Sequence, residues 1–400
     1  MTDSDAVSDD VLDHSVDTLS AVIARDGGLN IPSSRRSFLR RASALSLAIP
    51  GMGAALTSCT SDRDEKNREE QRDATTGADT SGRGGPDHRG RNPDSKLDTA
   101  LHRPEGHPTT TAGVSGAAAA AVYKRYDPTL PPLGNESTIR LHWRSQETPV
   151  RISANTVVAG WTFEENIPGP IVHCRVGDTV EFTLTNEVDI PHSMDFHAAQ
   201  IDPKMAFRSV PKGQSISYTF KPRYAGAFLY HCGTGPVLMH IGSGMFGALV
   251  VSPRKPLPKA REFVLVQNEF YLGEVKDGMR PFDYHKMLEA EPDFVSFNGR
   301  PDQYSREPIH VKVGDRVRFW VVCAGPTLEC AFHIVGEQFE TVYIGAPPES
   351  AIHGVQTFAV AAGGGMCFEL VCDVPGEFPF VNHAFGHGQK GAIGYLVVEP

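Results

Sequence analysis

The feature of this chain that most constrains its fold is an internal repeat. Three short segments of the second half match three segments of the first half, in the same order. The matched pairs are Val176–Phe182 with Val313–Phe319, Ala225–Phe228 with Pro375–Phe378, and Gly247–Val251 with Gly394–Val398. A repeat at a nearly constant spacing indicates that one structural unit occurs twice. We therefore expect two tandem domains, divided between Pro256 and Arg261.

Alternation of apolar and polar residues predicts that both copies are built from β-strands. Thr179–Leu184, Ser215–Phe220 and His310–Val313 alternate with a period of two, as half-buried strands do. Turn residues separate these runs, in keeping with 39 glycines and 30 prolines. The best helical candidate, Tyr284–Ala290, is short. The fold class expected is all-β, with two tandem Greek-key β-sandwiches.

The N-terminal segment is expected to direct export. Paired arginines in Ser34–Arg41, followed by the short apolar run Ala42–Leu56, resemble a twin-arginine export signal. The sequence Leu56-Thr57-Ser58-Cys59 resembles a bacterial lipobox, in which the cysteine becomes the lipidated first residue. We expect the protein to lie outside the cytoplasm, anchored to the cell membrane by lipid on Cys59.

Composition divides the chain into four segments. Residues 60–120 are rich in charged residues, glycine and threonine, and they have few large apolar side chains. Such a segment cannot bury a core, so we expect a disordered linker. The four segments expected are the export extension at 1–59, this linker at 60–120, a first sandwich at 121–256 and a second at 257–400.

Charge and apolar patterning exclude two classes of protein. The net charge of −10 and the pI near 5.9 argue against a nucleic-acid-binding protein. The sequence has no run of 18 apolar residues, so membrane contact is expected through the lipid anchor alone. Seven cysteines are too few for a disulfide scaffold, although Cys323 and Cys330 bracket a short loop and could pair.

The first copy contains four potential metal ligands: His192, Cys232, His240 and Met245. A thiolate, two imidazoles and a thioether form the ligand set of blue-copper electron-transfer sites. The last three ligands are close enough in sequence to share one loop, and glycines between them allow that loop to fold tightly. The alternatives are ordinary core residues with a space-filling methionine, or a zinc site, although zinc does not favour a thioether.

Strand geometry predicts a second metal site behind the first. His231 and Cys232 are neighbours, so their side chains point to opposite faces of one strand. By the same alternation His192 joins Cys232 on one face. His197 and Asp195 join His231 on the other face, where imidazoles beside a carboxylate leave room for a small ligand. The peptide between His231 and Cys232 would then connect the two sites through covalent bonds.

The second copy is expected to complete this second site. Two histidines hold copper poorly, and His383 of Val381-Asn382-His383 is the candidate for a third ligand. Asn382 falls at the repeat position of Cys232. The second copy therefore lacks the thiolate and cannot form a blue-copper site of its own.

Taken together, these motifs resemble the copper-containing nitrite reductases over residues 135–400. They are Pro168-Gly169-Pro170, His192-x₂-Asp195-Phe196-His197, Tyr230-His231-Cys232, His240-x₄-Met245, Phe297-Asn298-Gly299 and Val381-Asn382-His383. The resemblance implies two cupredoxin domains in a homotrimer and one-electron reduction of nitrite to nitric oxide, a reaction of denitrification. It implies an electron donor that is a small copper protein or a c-type cytochrome.

The resemblance also assigns the ligands and the active-site acid. It implies a type 1 copper held by His192, Cys232, His240 and Met245. It implies a type 2 copper held by His197 and His231 of one chain and His383 of its neighbour, with Asp195 as the acid that hydrogen-bonds bound nitrite.

One segment departs from the family pattern. The family carries a catalytic histidine at the end of a His-Leu-Ile-Gly-Gly-His segment, and the matching residues here run from His333 to Gln338. Gln338 therefore stands at the position of the catalytic histidine. Glutamine can hydrogen-bond a substrate but cannot shuttle a proton near neutral pH. Glu337 and His353 are alternative proton donors.

Two other functions fit parts of the pattern. A laccase-like multicopper oxidase needs several His-x-His pairs, and this sequence contains none. It also needs histidines where this chain has Asp195 and Val335. A non-catalytic copper-binding or electron-transfer lipoprotein is favoured by Gln338 and disfavoured by the complete second set of ligands.

Overall fold

The computed structural model describes residues 116–400, which form strands and a few short helices. The paired arginines, Cys59 and most of the expected linker lie outside the described residues. The last five residues of that linker, Gly116–Ala120, form helix α1. Alanine is a strong helix former, and Arg151 donates hydrogen bonds to the carbonyls of Ala118 and Ala121. Helix α1 therefore lies within the segment that composition assigns to the linker.

Residues 138–252 form two four-stranded sheets that pack face to face. The first sheet has the order β2-β1-β4-β6 and the second the order β3-β8-β7-β5. Their strands are β1 (Thr138–Ser153), β2 (Thr156–Phe163), β3 (Val172–Arg175), β4 (Thr179–Asn186), β5 (Asp195–Phe196), β6 (Ser215–Phe220), β7 (Gly226–His231) and β8 (Phe246–Ser252). Every second residue of β4 and β6 is buried, as alternation predicts. The enclosed core includes Trp143, Phe182, Phe196 and Cys232.

Residues 261–399 form a second sandwich of six and five strands. The sheet orders are β10-β9-β12-β17-β14-β15 and β11-β19-β18-β13-β16. The strands are β9 (Arg261–Phe270), β10 (Phe294–Phe297), β11 (Glu307–Lys312), β12 (Arg316–Gly325), β13 (Cys330–Ile334), β14 (Phe339–Tyr343), β15 (Ala351–Val355), β16 (Thr357–Val360), β17 (Gly365–Val371), β18 (Gly376–Asn382) and β19 (Ile393–Glu399). The all-β sandwich class is confirmed, and the expected division between copies lies between β8 and β9.

Short helices occupy the connections between strands. Besides α1 they are α2 (Pro203–Ala206), α3 (Val237–Gly242), α4 (Tyr284–Glu289), α5 (Gln303–Arg306) and α6 (Phe385–Gln389). Helix α4 is the one expected from sequence; the Asp283 side chain caps its first N–H groups, and Ala290 ends it in a left-handed conformation. None of the helices in residues 116–400 has the length and hydrophobicity needed to cross a bilayer.

The repeated Val-Gly-Asp motif forms the same turn in both copies. Gly177 and Gly314 have φ angles of +79° and +85°, a region that favours glycine. The aspartate carboxylate accepts the N–H three residues before it, at 2.8 Å for Asp178 and 2.9 Å for Asp315. Each turn leads into a parallel strand pair, β1 with β4 in one copy and β9 with β12 in the other. The sequence repeat is thus a repeat of structure.

A third apolar core joins the two sandwiches. Strands β7 and β8 contribute Leu229, Phe246 and Val250, and strands β9 and β12 contribute Val264 and Trp320 among others. Because these strands are covered on both faces, their apolar runs are nearly continuous instead of alternating. The six cysteines within residues 116–400 are all buried free thiols, so Cys323 and Cys330 are not paired in this structure.

Burial makes the stability of the second sandwich depend on pH through Glu269. Desolvation raises the pKa of its carboxyl to about 6, although the N–H groups of Thr327 and Leu328 and the hydroxyl of Tyr271 donate to it. The folded state therefore holds the proton more tightly, and stability falls as the pH rises from 4.5 to about 6.

A Glu269→Gln variant should lose this slope. We expect its free energy of unfolding, relative to the original chain, to rise by about 2 kcal/mol between pH 4.5 and pH 7. Denaturant unfolding at several pH values measures this difference, and the exposed Glu349→Gln substitution serves as the control. A difference that stays constant with pH would contradict the assignment.

Candidate metal centre

Three donor atoms converge inside the first sandwich. The Nδ1 atoms of His192 and His240 are 3.1 Å apart, and the Cys232 Sγ lies 3.8 Å and 3.3 Å from them. All three side chains are buried. Donors that bind one ion at about 2.0–2.3 Å lie about 3–4 Å from one another, so this spacing fits a single metal ion.

The chain around these donors fixes their positions. Cys232 follows β7 directly, His240 lies on α3, and His192 is bridged to Val210 by two backbone hydrogen bonds. The backbone of Met245 accepts a hydrogen bond from the Cys232 N–H and donates one to the His240 carbonyl. Met245 is fully buried, and its backbone is thereby tied to two of the three converging residues.

Neighbouring side chains complete this pocket. The Ser193 N–H points at the Cys232 sulfur at 3.4 Å. The Trp161 ring packs edge-on against both imidazoles, at 5.7 Å from the His192 centroid and 5.0 Å from the His240 centroid. Hydrogen bonds and aromatic contacts of this kind orient metal ligands and tune their metal.

Burial holds the two imidazoles in the neutral form that binds metals. Desolvation lowers the pKa of His192 to about 3 and that of His240 to about 4. Burial also raises the pKa of the Cys232 thiol, partly offset by hydrogen bonds from Ser193 and Thr234. A metal ion at this point would supply the positive charge that a buried thiolate needs. The donor set therefore fits a soft or borderline ion such as copper.

A second group of donors lies on the other face of β7. Asp195 of β5 pairs directly with His231 of β7, so their side chains share one face. The Nε2 atoms of His231 and His197 are 3.1 Å apart, and the Asp195 Oδ2 lies 3.7 Å and 3.9 Å from them. The side chains of Asp195 and His197 are 23% and 32% exposed. This group is therefore open to solvent on one side, unlike the first.

Carbonyl groups aim both Nε2 atoms at this common point. The His231 Nδ1 bonds to the Cys232 carbonyl at 2.9 Å, and the His197 Nδ1 bonds to the Gly363 carbonyl at 2.9 Å. A carbonyl accepts only, so each Nδ1 carries the proton and each Nε2 presents a lone pair. Gly363 belongs to the second sandwich, which thus orients a histidine of the first.

The structure places the adjacent residues His231 and Cys232 in different donor groups. This is the arrangement that strand alternation predicts. The Cys232 carbonyl also accepts the hydrogen bond that fixes the His231 ring. One peptide therefore connects the two groups both covalently and through a hydrogen bond.

His383 is not part of either convergent group within residues 116–400. It is exposed at the end of β18, where its ring lies 5.1 Å from that of His333 at an angle of 77°. The rings of His197 and His231 are also 5.1 Å apart, at 81°. The chain thus presents two histidine pairs of nearly the same geometry, one from each sandwich.

Gln338 and His333 lie at different points of the segment that matches the family motif. Gln338 is exposed in the turn between β13 and β14, whereas the ring of His333, on β13, meets that of His383. The His333 Nδ1 bonds to the Gln356 carbonyl at 2.7 Å, which leaves its Nε2 available. His353 instead contacts Thr341 and the Glu340 carbonyl. In the repeat His333 matches Asp195, because His333 pairs with Val381 as Asp195 pairs with His231. The signal for it in the sequence was its match to the first histidine of the same family segment.

Comparison with known proteins agrees with this geometry. The profile of the multicopper oxidase family matches residues 144–256. The copper-containing nitrite reductases of Neisseria meningitidis and Neisseria gonorrhoeae are each 36% identical to this chain over 270 residues; the match covers 65% of this chain and 69% and 68% of those proteins. The chain belongs to the copper-containing nitrite reductase family.

Solved structures show the same relationship. A copper nitrite reductase from Nitrosomonas europaea is 35% identical with a TM-score of 0.61, over 65% of this chain and 94% of that one. A multicopper oxidase is 26% identical with a TM-score of 0.58, over 66% of this chain and 89% of that one. This member of the nitrite reductase family is therefore an oxidoreductase with cupredoxin-like sandwiches, and copper, the cofactor expected from sequence, is the metal that names the family.

Proposed function

We propose that this protein reduces nitrite by one electron to nitric oxide, with copper in both donor groups. The reaction consumes one nitrite, one electron and two protons, and it releases nitric oxide and water. The observation that carries the proposal is the placement of Cys232 and His231, which are adjacent in sequence, in separate donor groups. Electrons enter at the buried group and pass along the Cys232–His231 peptide to the open group.

The two donor groups suit different tasks. Bound copper would supply a reversible one-electron change at the buried group and a binding position for nitrite at the open one. Burial of His192, Cys232 and His240 keeps solvent and substrate from the first group. Exposure of His197 and Asp195 gives nitrite access to the second.

Asp195 is placed to deliver a proton where the substrate loses its oxygen. Its Oδ2 lies within 4 Å of the Nε2 atoms of His231 and His197, so a small anion held there would contact it. Protonation of the departing oxygen lets it leave as water. A positioned acid of this kind contributes about 10²–10⁴-fold to the rate.

A homotrimer would bring in the third imidazole. We propose that His383 of one chain completes the group formed by His197 and His231 of its neighbour. The support is that His383 is exposed on a different sandwich from the other two, and that the open group lacks a third imidazole within residues 116–400. Contacts between unlike surfaces that repeat around a ring give a closed oligomer.

The N-terminal segment and the electron donor belong to the same proposal. We propose export by the twin-arginine route, anchoring through lipid on Cys59, and reduction by a small copper protein or a c-type cytochrome outside the cytoplasm. Mass measurement of the membrane-extracted protein tests the anchor, because a mature chain that begins at an unmodified residue would refute it.

Copper content and nitrite-driven reoxidation test the proposed reaction. We expect two coppers per chain, and reoxidation of the reduced protein by nitrite without oxygen, with nitric oxide as the product. Four coppers per chain and reoxidation by oxygen would establish a multicopper oxidase instead. One copper per chain and no turnover would establish an electron carrier.

We expect His333, and not Gln338, to transfer a proton near bound nitrite, in addition to the imidazoles that bind copper. We predict that His333→Gln lowers the rate of nitrite turnover by about 10²-fold, because glutamine cannot transfer a proton. Gln338→His should leave the rate within about twofold, since position 338 is exposed in the turn that follows β13. Steady-state rates over a pH series measure both, and faster turnover in Gln338→His would return the role to that position.

A further inference from the structure

The second sandwich has a buried amide where the first has its metal-binding thiol. Asn382 ends β18 and stands at the repeat position of Cys232. It is fully buried, so each of its polar atoms requires a partner. Its neighbour His383 is the proposed third copper ligand.

The Asn382 side chain holds the two segments that carry the second histidine pair. Its Oδ1 accepts the N–H of Ala331 at 3.2 Å and the N–H of Ala384 at 3.1 Å. Ala331 lies two residues before His333, and Ala384 directly follows His383. The His383 N–H also bonds to the Ala331 carbonyl at 2.7 Å. The amide oxygen thus extends the hydrogen bonding between β13 and β18 to the residues that follow the end of β18.

The nitrogen of the same amide anchors it to the core. Asn382 Nδ2 lies 2.8 Å from the Gln267 Oε1, 3.0 Å from the Glu329 carbonyl and 3.2 Å from the His387 Nδ1. Gln267 is also buried, and its own Nε2 reaches the Glu329 carbonyl and the Cys323 sulfur. A buried network whose polar groups are all hydrogen-bonded holds its side chains in one arrangement.

We propose that Asn382 is a positioning residue, which sets the spacing of His333 and His383 and so prepares the third imidazole for the neighbouring subunit. In the first copy, converging metal ligands organise the end of the strand. In the second copy, protein hydrogen bonds do so without a metal. This inference rests on the proposed function, because it assumes that His383 binds copper.

Three variants test the role of Asn382. Asn382→Ala removes all five polar contacts of the side chain. Gln267→Leu keeps both N–H contacts of the Asn382 Oδ1 and removes one acceptor of its Nδ2. Cys323→Ala is the matched control, because its thiol is buried in the same network but bonds to Gln267 and the Leu328 carbonyl instead of Asn382.

Copper affinity, the EPR spectrum of the second copper and the KM for nitrite are measured on the full chain. We expect Asn382→Ala to weaken the second copper by about 10–100-fold, as loss of an orienting partner does, and to alter its hyperfine splitting. The visible absorption of the first copper should stay unchanged. Gln267→Leu and Cys323→Ala should hold the second copper within about threefold of the original affinity.

Two results would overturn this inference alone. One is a folded Asn382→Ala protein with the original copper affinity and spectrum, and the other is equal loss in Cys323→Ala. If Asn382→Ala does not fold, Gln267→Leu decides, because loss of copper despite the retained Oδ1 contacts refutes the role given to Oδ1. Copper binding is measured without nitrite, so an original chain that binds two coppers but does not turn over nitrite refutes the proposed reaction and leaves this inference standing.

Discussion

A Cys232→Ser variant is expected to lose the intense visible absorption of the first copper and to keep the second. The sulfur is the soft ligand of the buried group, and a serine hydroxyl does not replace a thiolate at a copper ion of this type. The Ser193 N–H that now points at the sulfur can bond to the new oxygen, so the fold should survive. Turnover of nitrite with a protein electron donor should fall by about 10³-fold or more, because electrons lose their entry point.

Cys174→Ser is the matched control for this substitution. Cys174 is a fully buried thiol of β3 in the same apolar core, but it is not among the converging donors. It should lose some stability and keep both coppers, the visible absorption and the rate. A Cys232→Ser protein that retains the absorption, or a Cys174→Ser protein that loses it, would show that the first metal centre lies elsewhere.

The fold was predictable because its strands and its repeated unit both produce regular patterns in the sequence. Alternation along β4 and β6 reports one buried face, and the repeated Val-Gly-Asp turn reports that the unit occurs twice. The contact between the sandwiches was harder to foresee. Strand β8 is an almost continuous apolar run because a second sheet covers its outer face, and a run alone does not reveal which sheet does so.

The donor groups were predictable for a local reason. His231 and Cys232 are adjacent, and strand alternation alone separates them into two sites. The residues that reach these groups from distant parts of the chain could not be predicted from the sequence. The Gly363 carbonyl reaches His197 from the other sandwich, and His333 meets His383 because β13 pairs with β18. The match to a family motif assigned the proton-transfer role to Gln338, because a motif shows spacing but not strand pairing. That assignment stays a prediction beside the proposal for His333.

Replacing His383 with alanine is expected to remove the second copper and abolish nitrite turnover. His383 is exposed, so the substitution should cost little stability and leave the first copper in place. His197→Ala should have the same effect, because it removes an imidazole from the open group. Copper content, the EPR spectrum and nitrite turnover of each purified variant measure the loss.

Co-expression of His383→Ala with His197→Ala shows whether the two residues act across a subunit contact. If each centre takes His197 from one chain and His383 from the next, a random mixture of equal amounts restores both ligands at about a quarter of the centres. The second copper and the rate should then recover to about a quarter of the original values. If both histidines of a centre belong to one chain, no centre in the mixture is complete. A mixture that remains inactive would therefore refute the shared centre, whereas purified variants mixed after folding, without subunit exchange, should stay inactive and serve as the control.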